Sequence, residues 1–222
     1  MKHKQNNDLV SIIIPCYHQA QWLKEAIESA LNQTYPNIEV IVVNDGSSDN
    51  TREIAKQYPI KYIEKENGGV SSARNTGIKE AKGKWVLTLD ADDKIDSTFV
   101  EKTIGKNDIV STTQQTFGDE SRLWTPYFLN PTLDLEIENN YLNCCSLFKR
   151  EIWETIGGYD EKMKDGYEDW DFWIRAMIAG YKATIIPEPL FFYRKHGVSL
   201  INTAIAKHQE LRDYMMNKYH YL

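Results

Sequence analysis

Short apolar runs alternate with amphipathic segments in the first half of the chain. The apolar runs are rich in β-branched residues and predict buried strands at residues 10–14, 38–43, 60–63 and 84–89. Apolar positions spaced three or four residues apart predict helices at residues 21–32, from 49 or 50 to 58, and at 70–82. Strands that alternate with helices in this way indicate a parallel sheet covered on both faces.

The pattern becomes less regular after residue 104. Apolar runs predict strands at residues 108–111, 142–148, 183–186 and 190–193, and helical spacing predicts helices at 150–156, 168–179 and 200–219. Residues 112–138 are rich in aromatic side chains without a clear period, so we expect an irregular segment there.

Composition narrows the class of protein. The chain has 222 residues, 41% of them apolar, which is enough to bury one sizeable core. A net charge of −6 argues against binding to a phosphate backbone, so nucleic acid is not expected as a partner.

The polar N-terminus and the absence of a long uncharged apolar run predict a cytoplasmic protein, and they leave room for peripheral contact with a membrane. Cys16, Cys144 and Cys145 have the spacing of neither an intrachain disulfide nor a zinc site and fit a reducing compartment.

Polar loops follow three of the predicted strands and begin at Pro15, Asp45 and Asp90. The carboxyl ends of parallel strands share one edge of a sheet, where ligands collect. Side chains alternate along a strand, so Asp90 and Asp92 face the same ligand and offer the oxygen atoms that Mg²⁺ or Mn²⁺ prefers. A polar loop after an edge strand is the alternative. The glycine patterns of dinucleotide sites and P-loops are absent from the sequence, which removes those two classes.

Five further positions have both a chemical and a structural interpretation. Asp45 is placed to accept a hydrogen bond from a nucleobase or ribose, or to open a tight Asp-Gly turn. Arg74 either contacts a ligand or is a solvated surface residue. Asp169 lies at a predicted helix start, where an acid suits the helix dipole, but its aromatic neighbours also favour a raised pKa and a role as general base. Arg194 and His196 lie at the end of a predicted short strand. They are either surface residues, or Arg194 binds the oxygens of a diphosphate and His196 is a metal ligand.

These motifs closely resemble those of the inverting glycosyltransferases of family 2, which have a GT-A fold. The resemblance covers roughly residues 9–200 and is carried by VSIIIPCY at 10–17, VNDGSSD at 43–49, GGVSSARN at 68–75 and LDADD at 89–93. It implies a single α/β domain with a Rossmann-like, mostly parallel sheet. Its parts are a flexible tail at 1–8, a nucleotide-sugar-binding half at 9–103, an acceptor-binding and catalytic half at 104–199, and a C-terminal helix at 200–222.

The resemblance also implies roles for individual residues. The donor-binding positions are Pro15, Tyr17, Asp45, Arg74, Asp90, Asp92, Arg194 and Ser199. Asp90 and Asp92 correspond to a DxD motif that contacts ribose, diphosphate and metal. The metal, Mn²⁺ or Mg²⁺, is assigned to Asp92 or Asp93 together with His196, and Asp169 corresponds to the catalytic base.

The implied reaction moves a sugar from a nucleotide-diphosphate sugar, with UDP preferred, to a hydroxyl of a saccharide or lipid-linked saccharide in bacterial cell-surface polysaccharide or glycoconjugate synthesis. A sugar-phosphate nucleotidyltransferase is one alternative, but it would carry a glycine-rich basic loop after the first strand. An inactive nucleotide-sugar-binding module is another, and Asp92, Asp169 and His196 count against it. The aromatic residues of the C-terminal helix predict core packing, with a homodimer or lipid contact as the alternatives.

Overall fold

The computed structural model describes residues 7–197 and 200–219, so residues 1–6 of the expected tail and residues 220–222 of the expected C-terminal helix lie outside it. The strands are β1 (Val10–Cys16), β2 (Ile38–Asn44), β3 (Lys61–Glu64), β4 (Trp85–Thr88), β5 (Lys94–Ile95), β6 (Ile109–Gly118), β7 (Leu123–Trp124), β8 (Leu147–Lys149) and β9 (Ala183–Lys195). The helices are α1 (Ala20–Leu31), α2 (Thr51–Ala55), α3 (Val70–Lys79), α4 (Phe99–Thr103), α5 (Leu133–Glu138), α6 (Arg150–Ile156), α7 (Glu168–Ile178), α8 (Leu200–Ala206) and α9 (His208–Lys218).

The described strands form one mixed sheet in the order β3-β2-β1-β4-β8-β6-β9-β5, with β7 paired to β6. Strand β1 pairs in parallel with β2 and β4, and β2 pairs in parallel with β3. Strand β8 runs antiparallel to β4 and β6, and β9 runs parallel to β6. The predicted single α/β domain is confirmed, and the carboxyl ends of β1, β2 and β4 share one edge of the sheet.

The central strand β1 is buried along its whole length because helices cover both faces of the sheet. Ile12 and Ile14 pack in a cluster with residues of α1, whereas Ile13 belongs to the cluster on the α3 side. The close approach of α3 depends on Gly77, since a Cβ atom there would lie 2.4 Å from Cγ2 of Ile13. This packing fixes α3 against the sheet and, with it, the position of Arg74.

The prediction of an irregular segment at residues 112–138 is wrong over much of its length. Strand β6 continues to Gly118, and its part rich in threonine and glutamine pairs with β9 and β7. Helix α5 follows, with Oγ1 of Thr132 accepting a hydrogen bond from the backbone N–H of Leu135. The strand was missed because polar β-branched residues form strands without the hydrophobic alternation that predicts them.

Two other strand predictions are corrected. The strand expected at 142–148 is reduced to β8, because the preceding residues form a loop in which the Asn143 side chain donates a hydrogen bond to the backbone of Thr112. The two strands expected at 183–186 and 190–193 are joined in β9, which passes through an irregular register against β6.

The helix expected at residues 200–219 is two helices, α8 and α9, with a turn at Lys207 between them. Leu211 and Met215 of α9 are buried, and Met215 packs in a cluster with Trp170 of α7. The predicted core packing is confirmed for Met215 and in part for Tyr219, which is partly buried against the same cluster, but it is wrong for Tyr214, which is exposed. A homodimer through this segment stays a prediction. In the described ranges, no helix is both long and apolar enough to cross a lipid bilayer.

Candidate active site

Within the described residues, two clefts lie side by side at the edge where β1, β2 and β4 end. The first, called the β1 cleft, has a volume of about 550 Å³ and is bordered by the loops that follow these strands. The second, called the α7 cleft, has a volume of about 570 Å³ and lies between the start of α7, residues 138–144 and the end of β9. Asp90 and Tyr193 border both clefts, so the two volumes meet at these side chains.

The wall of the β1 cleft contains six of the positions selected from the sequence, and three of them lie at the ends of β1 and β2. Pro15 lies near the end of β1, Tyr17 directly follows this strand, and the Tyr17 side chain is half exposed beside the cleft. Asp45 is buried, and its carboxylate accepts hydrogen bonds from the backbone N–H groups of Gly68 at 3.0 Å and Gly69 at 2.8 Å. Asp45 therefore holds the loop that begins α3, while a direct bond to a nucleobase stays a prediction.

The acidic loop after β4 turns its carboxylates toward different surroundings. Oδ2 of Asp92 lies 2.9 Å from Nε2 of His196, and both residues border the β1 cleft together with Asp90. Asp93 is buried, accepts the backbone N–H of Arg194 at 2.7 Å, and borders neither cleft. Of the two candidates left open by the sequence, only Asp92 borders one of the two clefts, and the assignment of a metal ligand stays a prediction.

The charges in this loop favour a cation in the β1 cleft. Burial, followed by the negative charge of Asp90, raises the pKa of Asp92 above its usual value. On the inner side of the loop, ligand atoms of Asp90, Asp93 and Cys144 lie within 4.8 Å of one another. Burial raises the pKa of the Cys144 thiol well above its usual value, so this protonated sulfur is a poor ligand for Mg²⁺ or Mn²⁺.

The basic end of β9 is held against α1. The guanidinium of Arg194 pairs with Glu25, and its Nε donates a 2.6 Å hydrogen bond to the carbonyl of Asp92. The ring of His196 lies 4.0 Å from the ring of Trp22, measured between centroids. Arg194 therefore supports the acidic loop from outside both clefts, and its expected contact with a diphosphate stays a prediction.

One cation beside the β1 cleft was missed in the sequence. Lys164 borders the cleft and lies across Gly69, whose added Cβ would be 3.9 Å from Cγ of the lysine. It follows a turn without any periodic signal, so only the fold brings it to this position. Ser199, expected among the diphosphate contacts, lies outside the described residues.

Arg74 is buried beside Asp90, one of the residues that border both clefts. Its side chain is only 1% exposed; Nη2 donates to Asp90 at 2.8 Å and Nη1 donates to Glu168 at 2.7 Å. The guanidinium borders the α7 cleft rather than the β1 cleft, so its expected contact with a nucleotide stays a prediction. What the structure adds is an ion pair on each side of this buried arginine, one with the buried Glu168 and one with the partly exposed Asp90.

Asp169 lies in the first turn of α7 and borders the α7 cleft. Tyr167, the residue directly before α7, has a φ of +62°, an unusual conformation for a residue other than glycine, and its hydroxyl is hydrogen-bonded to His208 at 2.9 Å. Nδ2 of Asn140 donates to the Asp169 carboxylate at 3.3 Å. Burial and the neighbouring charge of Glu168 raise the pKa of Asp169 to about 7, which suits a general base at neutral pH.

The rest of the α7 cleft is lined mainly by flat aromatic rings and side-chain amides. They are Gln114, Trp124, Asn139, Asn140, Tyr141, Asn143, Tyr167, Trp170 and Tyr193. A sugar ring presents apolar C–H faces and hydroxyl groups at its rim, so rings and amides together match both kinds of surface. Only Gln114 and Trp124 come from the segment that was expected to be irregular, and the convergence of all nine residues was not predicted.

Solved structures with the same fold are glycosyltransferases. Staphylococcus aureus TarS, residues 1–349 in complex with UDP-GlcNAc, superposes with a TM-score of 0.73 and 20% identity over 87% of this chain and 60% of that one. The mannosyltransferase PcManGT from Pyrobaculum calidifontis, in complex with GDP-Man and Mn²⁺, gives a TM-score of 0.69 and 21% identity over 91% of this chain and 61% of that one. The fold is thus the GT-A fold of glycosyltransferases.

Sequence comparison gives the family. The profile described as Glycosyl transferase family 2 matches residues 11–157, and one described as the N-terminal domain of galactosyltransferase matches residues 132–197. A Rickettsia typhi protein described as an uncharacterized glycosyltransferase is 36% identical over 95% of this chain and 71% of its own length. The minor teichoic acid biosynthesis protein GgaB of Bacillus subtilis is 35% identical over 93% of this chain, which spans only 25% of GgaB. The chain belongs to glycosyl transferase family 2, as its motifs predicted.

Proposed function

We propose that this chain transfers a sugar from a UDP-sugar to a hydroxyl group of a saccharide, with inversion at the anomeric carbon. The observation that carries the proposal is the junction of the two clefts at Asp90 and Tyr193. One cleft offers a carboxylate and imidazole pair for a diphosphate and its cation, and the other offers a base. The reacting carbon then lies where the clefts meet.

The β1 cleft is assigned to the donor. Its Tyr17 end receives the nucleobase, and its other end, at Asp92, His196 and Lys164, receives the diphosphate. Complexes of the similarly folded TarS with UDP and with UDP-GlcNAc support a uridine nucleotide. The ammonium group of Lys164 supplies a positive charge for the phosphate oxygens.

The donor set of the β1 cleft fits a divalent cation. Two neighbouring ligands at about 2.1 Å from an octahedral ion are separated by about 3 Å, and Oδ2 of Asp92 lies 2.9 Å from Nε2 of His196. A carboxylate and a neutral imidazole together suit Mn²⁺, the ion present in the PcManGT complex. When bound, such a cation neutralises the charge that develops on the departing diphosphate.

The α7 cleft is assigned to the acceptor, with Asp169 as the base. The acceptor hydroxyl gives its proton to the Asp169 carboxylate while its oxygen forms a bond to the anomeric carbon. The bond between that carbon and the diphosphate oxygen breaks, and the electron pair leaves with the nucleotide. Because attack and departure occur on opposite faces in one displacement, the configuration inverts.

A saccharide acceptor, free or linked to a lipid, is supported by the aromatic and amide lining of the α7 cleft. The name of GgaB, a minor teichoic acid biosynthesis protein, supports a place in bacterial cell-surface polysaccharide or glycoconjugate synthesis. The proposal includes a cytoplasmic location at the inner face of the membrane, where a lipid-linked acceptor is reached.

The test combines donor binding with transfer. UDP-sugars and GDP-sugars are screened by thermal shift with and without Mn²⁺, and the best donor is then assayed for transfer to saccharide acceptors. Asp92→Asn is expected to lose the Mn²⁺-dependent thermal shift. Asp169→Asn is expected to bind the donor but to lose transfer, while Asp213→Asn on the exposed face of α9 behaves like the parent protein.

Each alternative has its own outcome. Donor binding without turnover in the parent protein would indicate a binding module. Reaction of a nucleoside triphosphate with a sugar phosphate would indicate a nucleotidyltransferase. Transfer by both Asp92→Asn and Asp169→Asn at the parent rate would contradict the mechanism.

A further inference from the structure

Glu136 is a buried acid behind the α7 cleft that the reaction above does not use. Its side chain has no solvent exposure, and Oε2 accepts the backbone N–H of Tyr141 at 3.2 Å. Oε1 has no hydrogen-bond partner, and no described basic residue forms an ion pair with this carboxyl group. A buried carboxylate without a cation is costly, and burial raises the pKa of Glu136 to about 8, although the backbone N–H groups of Tyr141 and Leu142 act in the opposite direction.

The charged groups packed around Glu136 do not offset a negative charge there. Asp169 on α7 is itself acidic and adds repulsion. Arg212 on α9 is directed elsewhere, since it donates to the carbonyl of Glu138 at 3.0 Å and its guanidinium lies 5.7 Å from the ring centre of Trp170. The neutral, protonated form of Glu136 is therefore favoured at pH 7.

Asn140, which lies in the loop after α5 and directly precedes Tyr141, has a matching unsatisfied atom. Its Nδ2 donates to the carboxylate of Asp169, whereas its Oδ1 is buried without a hydrogen-bond partner in the described structure. The Glu136 backbone is fixed against α7, because Nε1 of Trp170 donates to its carbonyl at 2.5 Å. Oε1 of Glu136 and Oδ1 of Asn140 are thus two buried acceptors in one short segment. If Glu136 carries a proton, its O–H group is a donor for the Asn140 oxygen, and both atoms then have a partner.

We propose that Glu136 is a positioning residue that acts as a neutral carboxylic acid, donating its O–H to Oδ1 of Asn140 and thereby directing the Asn140 amide N–H to Asp169. The role toward a base rests on the proposed function. A proton on Glu136 fixes the amide so that its N–H group faces the base. Loss of that proton leaves two acceptors facing each other and adds a negative charge beside Asp169.

The first test is the pH dependence of kcat for transfer in the parent protein and in Glu136→Gln. The glutamine amide keeps an N–H donor for Asn140 at every pH. We expect kcat of the parent protein to fall above pH 8, by up to about tenfold per pH unit, and kcat of Glu136→Gln to stay level. The control Asp134→Asn removes an equal charge from an exposed position of α5 and should keep the fall. A fall that persists in Glu136→Gln, or that is missing in the parent protein, overturns the proposal.

The second test does not depend on activity. A carboxyl group whose pKa is raised in the folded state stabilises the protein less as pH rises from its ordinary value toward about 8. The Tm of Glu136→Gln relative to the parent protein should therefore increase between pH 5 and pH 8, and that of Asp134→Asn should not. A constant difference would mean that Glu136 is ionised and would overturn the proposal.

The two tests also separate this inference from the function beneath it. If the Tm difference follows the expected window but no protein transfers sugar, the proposed function and the role of Glu136 toward a base both fail, while the neutral carboxyl group stands. If Glu136→Gln does not fold, Glu136→Met, whose side chain has a similar length and carries no charge at any pH, replaces it in the Tm comparison. The same rise in relative Tm between pH 5 and pH 8 is expected, and a constant difference overturns the proposal.

Discussion

Replacement of Arg74 by glutamine tests the buried link between the two clefts. Arg74 is 1% exposed and pairs with Asp90 at 2.8 Å and with Glu168 at 2.7 Å. Removing one partner of a buried ion pair costs about 3–5 kcal/mol, because a charge is left without compensation. For a domain of this size the loss corresponds to a fall in Tm of about 6–20 °C, at roughly 2–4 °C per kcal/mol. The free energy of unfolding of a protein is typically about 5–15 kcal/mol. Because the expected loss is smaller than most of this range, the variant should still fold at low temperature.

The assay is the free energy of unfolding in urea, measured for Arg74→Gln, Glu168→Gln and the double variant. The double variant removes the charge of Glu168 as well, so the two losses should not add, with a coupling of about 1–3 kcal/mol. Arg52→Gln is the matched control, because Arg52 forms an exposed pair with Glu64 and its loss should change stability little. A loss below about 1 kcal/mol for Arg74→Gln, or additive losses in the cycle, would refute the reasoning.

Three further results are expected. Gly77→Ala should destabilise the fold by about 1–3 kcal/mol, because its Cβ would lie 2.4 Å from Cγ2 of Ile13, and an unchanged Tm would show that α3 shifts freely. The kcat for transfer should rise about tenfold per pH unit up to about pH 7 and then level off until the fall expected above pH 8, since Asp169 must be deprotonated to act as a base; a rate independent of pH below 7 would argue against Asp169. Chelation with EDTA should abolish the donor-induced thermal shift and Mn²⁺ should restore it, whereas a shift that survives chelation would contradict the metal at Asp92 and His196.

The sequence predicted the parallel half of the fold well because its signals are local. The buried strands β1, β2 and β4 are apolar runs, and Asp45 and Asp90 follow strands whose carboxyl ends must share an edge. The second half was harder because β6 is partly made of polar threonine and glutamine residues, which show no hydrophobic alternation. Aromatic and amide residues around the α7 cleft converge only after β6, β9 and α9 are in place.

Within the candidate site, the sequence identified acidic residues but not their environments. Asp92 and Asp93 are adjacent, yet one faces the β1 cleft and the other is buried against the backbone of Arg194. Burial differs between these neighbours because they lie in a turn between β4 and β5, in which the backbone N–H of Asp93 donates to the carbonyl of Asp90. The strand alternation expected from the sequence does not extend to this turn, and a motif alone does not say which carboxylate faces a ligand. Glu136 had no signal at all, since an acid in a short helix is ordinarily exposed.

Asp169 and Glu136 form a pair of carboxyl groups whose two protonation steps are linked. Their pKa values of about 7 and about 8 lie close together, and the negative charge of Asp169 raises the pKa of Glu136. The order of the two steps matters, because transfer requires Asp169 to lose its proton while Glu136 keeps its own. The positive charge of Arg74 lowers the pKa of Asp169 without acting on Glu136. Arg74 therefore favours loss of the proton from Asp169 before loss of the proton from Glu136. Arg74→Gln should therefore shift the acid limb of kcat to higher pH and narrow the range in which the enzyme is active, beyond any effect on stability.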